Sequence, residues 1–401
     1  MATDVMILNT AVVDFRSSDF HFVEVLVGQG GLAKCKTEDM PAYSQKQLRQ
    51  WIEQGFATAG GPGNSAPLIA RAGLNVAVGV NLGKGDYDGL DAQGRFFADV
   101  MTANGVDMSQ TCIHPELPTG TTFIYEKVAK ERGGITYFPN ANNDFLFEHF
   151  KGAVASLNPK ILYYMYSGLS DKGDANSGRD LAEFIKWSRS RGIITIVDSH
   201  TLTSEPQKLI SSGTPVAEYK LLIPLLPEVD LFFTSSEEGK MIENTLGTPR
   251  DWATFDENDN NLHFMDFLTE RFWEKDDRTR MFGITISTGA YEKHMLPDGR
   301  VKGPTRIESK FMVGDVVDLV GAGDSFRAGL ITYIANNLDE FKAGNTDFIE
   351  AIQMGNLFAA LYIKAPLGDR YVNIKTYEKM LNVVRSEATY TNFEQLKASL
   401  V

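Results

Sequence analysis

The stretch that decides the fold of this chain reads Asp318-Leu319-Val320-Gly321-Ala322-Gly323-Asp324-Ser325-Phe326. The apolar residues 311–317 before it predict a strand, and apolar residues spaced four apart after Phe326 predict a helix. Two glycines thus lie where a strand leads into a helix, and the unpaired N–H groups and dipole of a first helical turn attract anions. Asp324 in such a place indicates a general base that takes a proton from a hydroxyl attacking a bound phosphate. From these residues alone, a glycine turn with Asp324 or Ser325 as an ordinary helix N-cap stays open.

The composition is that of an acidic globular protein of 401 residues with a formal net charge of −13. That charge argues against nucleic-acid binding, which needs clustered Lys and Arg to neutralise phosphates. Cys35 and Cys112 form no CxxC pair, so neither a disulfide scaffold nor a zinc site is expected. The N-terminus shows no signal peptide, and no apolar run reaches the ~18 residues of a membrane span. We therefore expect a soluble, cytoplasmic protein with no nucleic-acid or membrane partner.

Short, continuous apolar strands alternate with helical patterns in the second part of the chain. The predicted strands are residues 161–166, 193–198, 231–234 and 282–287. Such alternation indicates a parallel sheet that is covered on both faces and binds ligands beyond the carboxyl ends of its strands. Because no linker divides the chain, residues 1–401 are interpreted as one α/β domain.

The first part of the chain is less regular. Residues 5–13 predict a strand that ends at Asp14, residues 21–27 predict another, and residues 119–138 predict a hairpin that turns at Gly133 and Gly134. These strands fall outside the alternating pattern, so we expect a small β lid over the strand ends, built from about 15–58 and 119–140. Residues 248–262 are acidic and Asn-rich, which predicts an exposed loop.

Two further glycine clusters, at 59–64 and 83–89, also invite a phosphate-binding interpretation. None of the clusters matches G-x-x-x-x-G-K-[ST], which excludes a P-loop, and none fits G-x-G-x-x-G after the first strand, so a dinucleotide fold is weakly supported. Residues 83–89 on their own are typical of a plain loop.

Residues 318–326 closely resemble the C-terminal signature Asp-Thr-x-Gly-Ala-Gly-Asp-x-Phe of the ribokinase-like (PfkB) carbohydrate and nucleoside kinases. Residues 59–64 resemble the family's N-terminal Gly-Gly-x-x-x-Asn motif, with Gly60 and Asn64 in register, and residues 230–238 resemble its Asn-x-x-Glu region. The resemblance implies an α/β fold of the ribokinase-like kind, a three-layer sandwich with a mostly parallel central sheet, helices on both faces and a small β lid. It also implies ATP-dependent phosphorylation of a primary hydroxyl of a sugar or sugar-like polyol.

The resemblance also gives each of a set of residues a role. Asp324 would be the base, and the turn Gly321, Ala322, Gly323 would supply the backbone N–H groups, together with that of Asp324, of an anion hole for the transferring phosphoryl group. The sugar would contact Asp14, Gly60, Gly61 and Asn64, since a carboxylate can accept hydrogen bonds from two vicinal hydroxyls. The nucleotide would contact Ser235, Glu238, Ser287, Gly289 and Asn356. Glu238 would also organise Mg2+ through water, and Asp318 would hold a monovalent cation such as K+.

The chain departs from the family pattern at several of these positions. Leu319 replaces the first threonine of the signature, Ala59 a glycine, Ser235 the asparagine of Asn-x-x-Glu, and Ser287 a threonine. Arg327, beside the base, is uncommon in the family. It could pair with an acidic group, contact a substrate phosphate, or lie on a solvated helix face.

Simpler interpretations of the supporting residues also stay open. Asp14 could be a strand-end carboxylate paired with a turn, Asn64 a helix N-cap, and Glu238 a surface glutamate at a helix start.

The alternatives to a sugar kinase are a nucleoside kinase of the adenosine type, a phosphosugar kinase and, in a different class, a non-catalytic ligand-binding homologue. A nucleoside needs a stacking surface, which could come from Phe123, Tyr125, Tyr137 or Phe138. A phosphosugar needs convergent cations, for which the candidates are Lys84, Arg132 and Arg327. Because the family's lid often forms a dimer, the resemblance also implies a homodimer through the lid.

Overall fold

The structure is a computed structural model that describes residues 2–125, 133–274 and 276–400. Within these ranges the strands, in chain order, are β1 (Val5–Leu8), β2 (Val12–Ser17), β3 (Leu32–Lys36), β4 (Ala57–Gly60), β5 (Val76–Gly79), β6 (Asn81–Tyr87), β7 (Cys112–His114), β8 (Gly120–Tyr125), β9 (Gly134–Phe138), β10 (Ile161–Ser167), β11 (Ile194–Ser199), β12 (Leu231–Ser235), β13 (Arg280–Ile286), β14 (Gly289–Met295) and β15 (Val301–Glu308). The helices are α1 (His21–Leu26), α2 (Gln45–Glu53), α3 (Ala66–Arg71), α4 (Ala92–Ala103), α5 (Phe147–Leu157), α6 (Arg179–Ser190), α7 (Pro206–Ser212), α8 (Leu222–Leu225), α9 (Ser236–Leu246), α10 (Glu257–Phe272), α11 (Ala322–Asn336), α12 (Leu338–Ala343), α13 (Phe348–Ile363), α14 (Tyr377–Arg385) and α15 (Phe393–Ala398).

The main sheet runs in the order β15-β14-β13-β12-β11-β10-β1-β5. Its strands are parallel from β13 to β5, whereas β14 and β15 add an antiparallel edge. Every residue of β1, β10 and β11 is buried, so both faces of the sheet are covered. The predicted α/β fold with a mostly parallel sheet is therefore confirmed.

The antiparallel edge of the main sheet was not predicted from the sequence. β14 buries polar side chains in its second half (Glu292, Lys293 and His294), and β15 exposes most of its residues. Neither strand therefore carries the continuous apolar run that revealed the parallel strands.

A second sheet has the order β3-β9-β8-β2-β4. The chain enters it from the carboxyl end of β1 through Asn9 and Thr10, whose φ angles are 76° and 53°. The predicted single strand over residues 5–13 is therefore wrong: it is interrupted here, and Asp14 lies within β2 of the second sheet. The hairpin partners β8 and β9 pair antiparallel, as expected, while residues 126–132 between them lie outside the described residues.

The segment before Gly321 is not a strand. Residues 309–320 are irregular, and although Phe311 is buried, Met312 and Val317 are 56% and 40% exposed. The segment is held by isolated contacts, such as the hydrogen bond from the Val317 N–H to the Ile363 carbonyl (2.9 Å). An apolar run alone does not distinguish a buried strand from such a segment, so a loop, and not a strand, leads into the glycine turn.

Three shorter predictions were also wrong. Residues 21–27 contain the helix α1, in which only Val23 is buried. Residues 83–87 belong to the strand β6, which begins at Asn81 and pairs with β7 over its first three residues. Residues 248–262 are loop only in part, since α10 begins at Glu257 and buries Asn260 and Asn261.

Within the described ranges, no helix is both long enough and apolar enough to cross a membrane.

Candidate active site

A cavity of about 700 Å3 opens at the carboxyl ends of the main-sheet strands. It brings together most of the residues singled out from the sequence: Asp14, Gly61, Asn64, Ser235, Glu238, Ser287, Gly289, Gly321, Ala322, Gly323, Asp324 and Asn356. Residues proposed for the sugar, for phosphoryl transfer and for the nucleotide thus line one continuous space. Gly60 and Asp318 do not line it.

Gly321 forms the N-cap of α11 with a φ of 86°, a left-handed conformation that favours glycine. A Cβ atom there would lie 2.8 Å from Cγ of Asn64 and 2.9 Å from Cε1 of Tyr362, so the close packing requires glycine as well. The Ala322 N–H already donates to the Leu319 carbonyl (3.0 Å). Among the described residues, the N–H groups of Gly323 and Asp324 have no acceptor, and these two remain for an anion in the cavity.

Asp324 is 4% exposed and receives hydrogen bonds on both carboxylate oxygens. Oδ2 accepts from Nδ2 of Asn64 (2.9 Å) and from the hydroxyl of Tyr166 (2.5 Å), and Oδ1 accepts from Nη2 of Arg327 (2.9 Å). Asp324 is the third residue of α11, and its side chain does not cap the helix, for which Gly321 is the N-cap. The N-cap interpretation of Asp324 is therefore wrong.

Arg327 is 6% exposed, so it is not a solvated helix residue. Its Nη2 atom lies 2.7 Å from Oδ2 of Asp198 and 2.9 Å from Oδ1 of Asp324, and its Nε donates to the hydroxyl of Tyr163 (2.9 Å). Burial raises the pKa of Asp198 to about 7, although Arg327 opposes the shift. Of the sequence alternatives, pairing with acidic groups is the one that the structure shows.

Asn64 ends the short 3-10 turn Gly61–Asn64 and is 2% exposed. Its side chain donates to Asp324, and its Oδ1 accepts from the hydroxyl of Tyr362 (2.5 Å). Helix α3 has Ser65 and not Asn64 at its N-cap position. Asn64 is therefore not a helix cap but a direct contact between the Gly61 turn and the candidate base.

Asp14 lies on β2 with its side chain toward the cavity and is 5% exposed. Burial raises its pKa to about 6, an effect that Arg16 opposes. No hydrogen bond from the described residues reaches its carboxylate, so it is not paired with a turn. Gly60 makes room for it, because a Cβ atom at that position would lie 2.6 Å from Oδ2 of Asp14.

Ser235 and Glu238 form a reciprocal capping box at the start of α9. The Ser235 N–H donates to Oε2 of Glu238 (2.9 Å), and the Glu238 N–H donates to the Ser235 hydroxyl (3.2 Å). The hydroxyls of Thr201 and Thr234 also donate to Glu238 (3.1 Å each). Glu238 is 5% exposed, so the interpretation as a surface glutamate is wrong, and serine in place of asparagine retains a cap at this position.

The cavity is also lined by Ser287, Gly289 and Asn356, which were singled out from the sequence for a nucleotide. Ser287 follows β13, Gly289 begins β14, and Asn356 lies in the middle of α13. Asn356 donates to Oε1 of Gln353 (3.3 Å) and is 5% exposed. Three separate parts of the chain thus place polar atoms in the cavity, and their contact with a nucleotide stays a prediction.

Of the cations considered for a phosphosugar, the two that are described, Lys84 and Arg327, lie in different pockets. Lys84 lies in a separate surface pocket with Lys46 and Asp86. Arg132 lies outside the described residues, and Arg327 is already paired with two carboxylates.

Within the described ranges, no group of three or more His, Cys, Asp or Glu side chains is arranged to hold a metal ion.

Sequence reasoning missed several residues that contact this site. They are Tyr163, Tyr166, Asp198, Tyr362, Arg16 and Arg370. None belongs to a short motif, and their partners lie far away in the chain. The one signal for part of this network was the unusual Arg327, whose buried charge needs acidic partners.

Comparison with known proteins gives a consistent result. A family model described as pfkB family carbohydrate kinase matches residues 39–249 and 301–370. No curated protein sequence matches the chain significantly.

Solved structures share the fold at low sequence identity. A fructokinase with bound ATP from Xylella fastidiosa is 17% identical with a TM-score of 0.62, and the match covers 95% of this chain and 98% of the fructokinase. A fructokinase from Vibrio cholerae O395, in a form with fructose, ADP and calcium ion bound, is 15% identical with a TM-score of 0.60 and the same coverage, 95% and 98%. An adenosine kinase from Sinorhizobium meliloti is 18% identical with a TM-score of 0.61, covering 93% of this chain and 98% of the other. The predicted ribokinase-like fold is confirmed.

Proposed function

The chain belongs to the pfkB family of carbohydrate kinases, and on that premise we propose that it transfers the γ-phosphoryl group of ATP to a primary hydroxyl of a sugar or sugar-like polyol. The observation that carries the proposal is the buried carboxylate of Asp14, which receives no hydrogen bond from the described residues and lines the same cavity as Asp324. A polyol can satisfy such a carboxylate with two adjacent hydroxyls and still present a third group to the base.

Asp324 takes the proton of the attacking hydroxyl in this proposal. Asn64, Tyr166 and Arg327 hold its carboxylate in one orientation, so little reorganisation is needed when the hydroxyl arrives. The N–H groups of Gly323 and Asp324, at the positive end of α11, stabilise charge on the transferring phosphoryl group. Ala322, whose N–H is used within the turn, shapes the anion hole without donating to it.

The nucleotide lies, in this proposal, along Ser235, Ser287, Gly289 and Asn356. Solved fructokinases with the same fold hold ATP, or ADP and a calcium ion. A bound Mg2+ would neutralise charge on the phosphates. The described residues offer no three-ligand cluster, and Glu238 already accepts several hydrogen bonds, which fits contact through water better than direct coordination.

A sugar fits the observations better than a nucleoside. Of the four aromatic residues considered for stacking a base, Phe138 lines the cavity, whereas Phe123 and Tyr137 pack against each other (centroids 4.8 Å apart) and Tyr125 lies against His21. For a phosphosugar, Lys84 lies in a separate surface pocket, and Arg327, which lines the cavity, is already paired with Asp198 and Asp324. The nucleoside kinase remains the second candidate because Phe138 supplies one stacking surface.

The experiment is a panel of sugars and nucleosides with coupled detection of ADP, run on the wild type, Asp324→Asn and Asp339→Asn. Asp339 is exposed on α12, so its variant controls for the loss of one negative charge. We expect a sugar substrate, and a drop of about 10²–10⁴ in kcat for Asp324→Asn alone. Undiminished turnover in Asp324→Asn would remove Asp324 as the base. ATP binding without turnover on any acceptor would instead support the non-catalytic homologue.

Three predictions of a more general kind stay open alongside the reaction: a lid, a homodimer and a cytoplasmic location. The second sheet is proposed to act as a lid over the sugar end, and the protein is proposed to form a homodimer through that sheet. The molar mass in solution, measured by light scattering, tests the dimer. The cytoplasmic location stays a prediction, which fractionation of cells that express the protein would test.

A further inference from the structure

Asp318 opens the glycine turn and is enclosed by two arginines. Nε of Arg16 lies 2.9 Å from Oδ2 of Asp318, and Nη2 of Arg370 donates to the same oxygen. The side chains of Arg16 and Arg370 are only 3% and 1% exposed. The remaining oxygen, Oδ1, accepts from the Val320 N–H (2.9 Å).

These contacts do not fit a monovalent cation at Asp318. A cation beside the turn would be held by oxygen atoms, and the Asp318 carboxylate and the Val320 carbonyl are the oxygens that the turn offers there. Arg370 donates to both, reaching the Val320 carbonyl through Nη1 (3.3 Å). A guanidinium group therefore occupies the position in which an ion would have to bind.

The charges around Asp318 leave no place for a further cation. The single carboxylate of Asp318 is in contact with two guanidinium groups, those of Arg16 and Arg370. Burial alone would lower the pKa of Arg370, but Tyr362 and Asp318 outweigh it and raise that pKa, so the guanidinium stays charged. An added ion would be repelled by two fixed positive charges at short range.

A chain of hydrogen bonds connects Arg370 with the candidate base. Nη1 of Arg370 donates to the hydroxyl of Tyr362 (3.2 Å), that hydroxyl donates to Oδ1 of Asn64 (2.5 Å), and Nδ2 of Asn64 donates to Oδ2 of Asp324 (2.9 Å). The ring of Tyr362 and the side chain of Asn64 also pack against Gly321. Arg370 thus supports both ends of the turn, Asp318 directly and Asp324 through two side chains.

We propose that Arg370, assisted by Arg16, permanently takes the place of a monovalent cation at the anion-hole turn, so that the protein needs no K+ for a competent site. Arg370 is a positioning residue, since it touches the turn and not the cavity. The effect on turnover rests on the proposed kinase function, whereas the effect on cation binding does not.

Melting temperatures test the cation independence without any substrate. The wild type is melted in KCl and in tetramethylammonium chloride at equal ionic strength, and we expect equal values. A bound K+ at about 100 Kd would stabilise the folded chain enough to raise Tm by several degrees. Such a rise in KCl alone would overturn the proposal, and it can be observed whether or not a phosphoryl acceptor is known.

Variants of Arg370 test its role in the turn. We expect Arg370→Ala to lower Tm and to lower kcat more than it changes KM. Addition of guanidinium chloride at low millimolar concentration, or of KCl, should restore part of Tm and part of kcat. Arg370→Lys, which keeps the charge but not the forked geometry, should lie between the alanine variant and the wild type. Arg179→Ala, at an exposed arginine of α6, is the matched control. If Arg370→Ala and Arg179→Ala behave alike, Arg370 has no such role. If Arg370→Ala does not fold, Arg370→Lys and the salt comparison on the wild type decide.

Discussion

The hydroxyl of Tyr166 donates a 2.5 Å hydrogen bond to Oδ2 of Asp324, although the two residues are 158 positions apart in the chain. Tyr166 belongs to β10, at a point where the pairing with β11 shifts register and where its φ is 59°. A left-handed tyrosine inside a parallel strand is a costly conformation. Here it coincides with a contact between the strand end and the candidate base.

Removal of that hydroxyl should weaken catalysis more than folding. A hydrogen bond to a charged group contributes about 1.5–3 kcal/mol, so Tyr166→Phe should lower kcat by about tenfold or more if the bond orients Asp324 for the reaction. Steady-state kinetics of the variant checks the prediction. Tyr125→Phe, on β8 and outside the cavity, is the control. An unchanged kcat in Tyr166→Phe would show that the contact does not orient the base.

Substrate affinity should depend on pH through Asp14. Its pKa in the folded protein is about 6, above the ordinary value of 3.8, because burial disfavours the charge. The carboxylate accepts two hydroxyl hydrogen bonds only when it is ionised, so KM and Kd for the sugar should rise as the pH falls below about 6. Binding calorimetry measures this without the chemical step, and Asp14→Asn should bind weakly at every pH.

Asp14 should also affect stability in the absence of ligand, with the opposite dependence on pH. Between about pH 4 and pH 6 the folded state holds a proton that the unfolded state has lost, so the free energy of unfolding falls as the pH rises through this window. Asp14→Asn should remove that part of the slope, by up to about 1.4 kcal/mol per pH unit. Urea unfolding at several pH values checks it, and an unchanged slope would contradict the raised pKa.

Gly321 and Gly55 have the same left-handed backbone conformation but different surroundings, so the pair allows a test of the packing at Gly321. Gly321 has a φ of 86° and close neighbours, whereas Gly55 has a φ of 81° and no heavy atom within 4 Å of the position that a Cβ atom would take. Gly55→Ala should therefore cost only the backbone strain, about 1 kcal/mol. Gly321→Ala should cost more and should also reduce kcat, because the methyl group displaces Asn64 and Tyr362. Equal effects on stability and activity would show that the packing at Gly321 is not critical.

Glu238 can be altered without loss of its capping box, because glutamine serves equally well at that position of the motif. Glu238→Gln should therefore retain most of the stability of the wild type. If Glu238 organises Mg2+ through water, the variant should need a higher Mg2+ concentration for half-maximal activity. Titration of Mg2+ at constant ATP checks this, with Glu183→Gln on the exposed side of α6 as the control. An unchanged Mg2+ requirement would leave Glu238 with the capping role alone.

The features that could be predicted from the sequence are those that depend on a short stretch of consecutive residues. The turn from Gly321 to Asp324 needs consecutive residues, and the buried strands β10 to β13 need consecutive apolar residues, so both are visible in the sequence. The apolar residues 311–317 show that a run of apolar residues does not always form a buried strand, because nothing in the local sequence reveals that Val317 is exposed.

The residues that could not be predicted act through distant partners. Asp198 and Arg370 are separate charges in the sequence, and only the fold places them beside Arg327 and Asp318. The same holds for Asn9 and Thr10, since their left-handed conformation reflects the change from one sheet to the other and not an intrinsic preference of both residues. For these positions the cause lies in tertiary packing, which single-sequence patterns do not contain.

Arg16 connects the second sheet with the segment that leads into the glycine turn. It lies on β2, two residues after Asp14, and its guanidinium group contacts Asp318 just before the glycine turn. A displacement of β2 would therefore also move that turn, and a rearrangement of the turn would move the strand that carries Asp14, the carboxylate proposed to bind the sugar. This ion pair is thus one route by which a movement of β2 can reach the glycine turn.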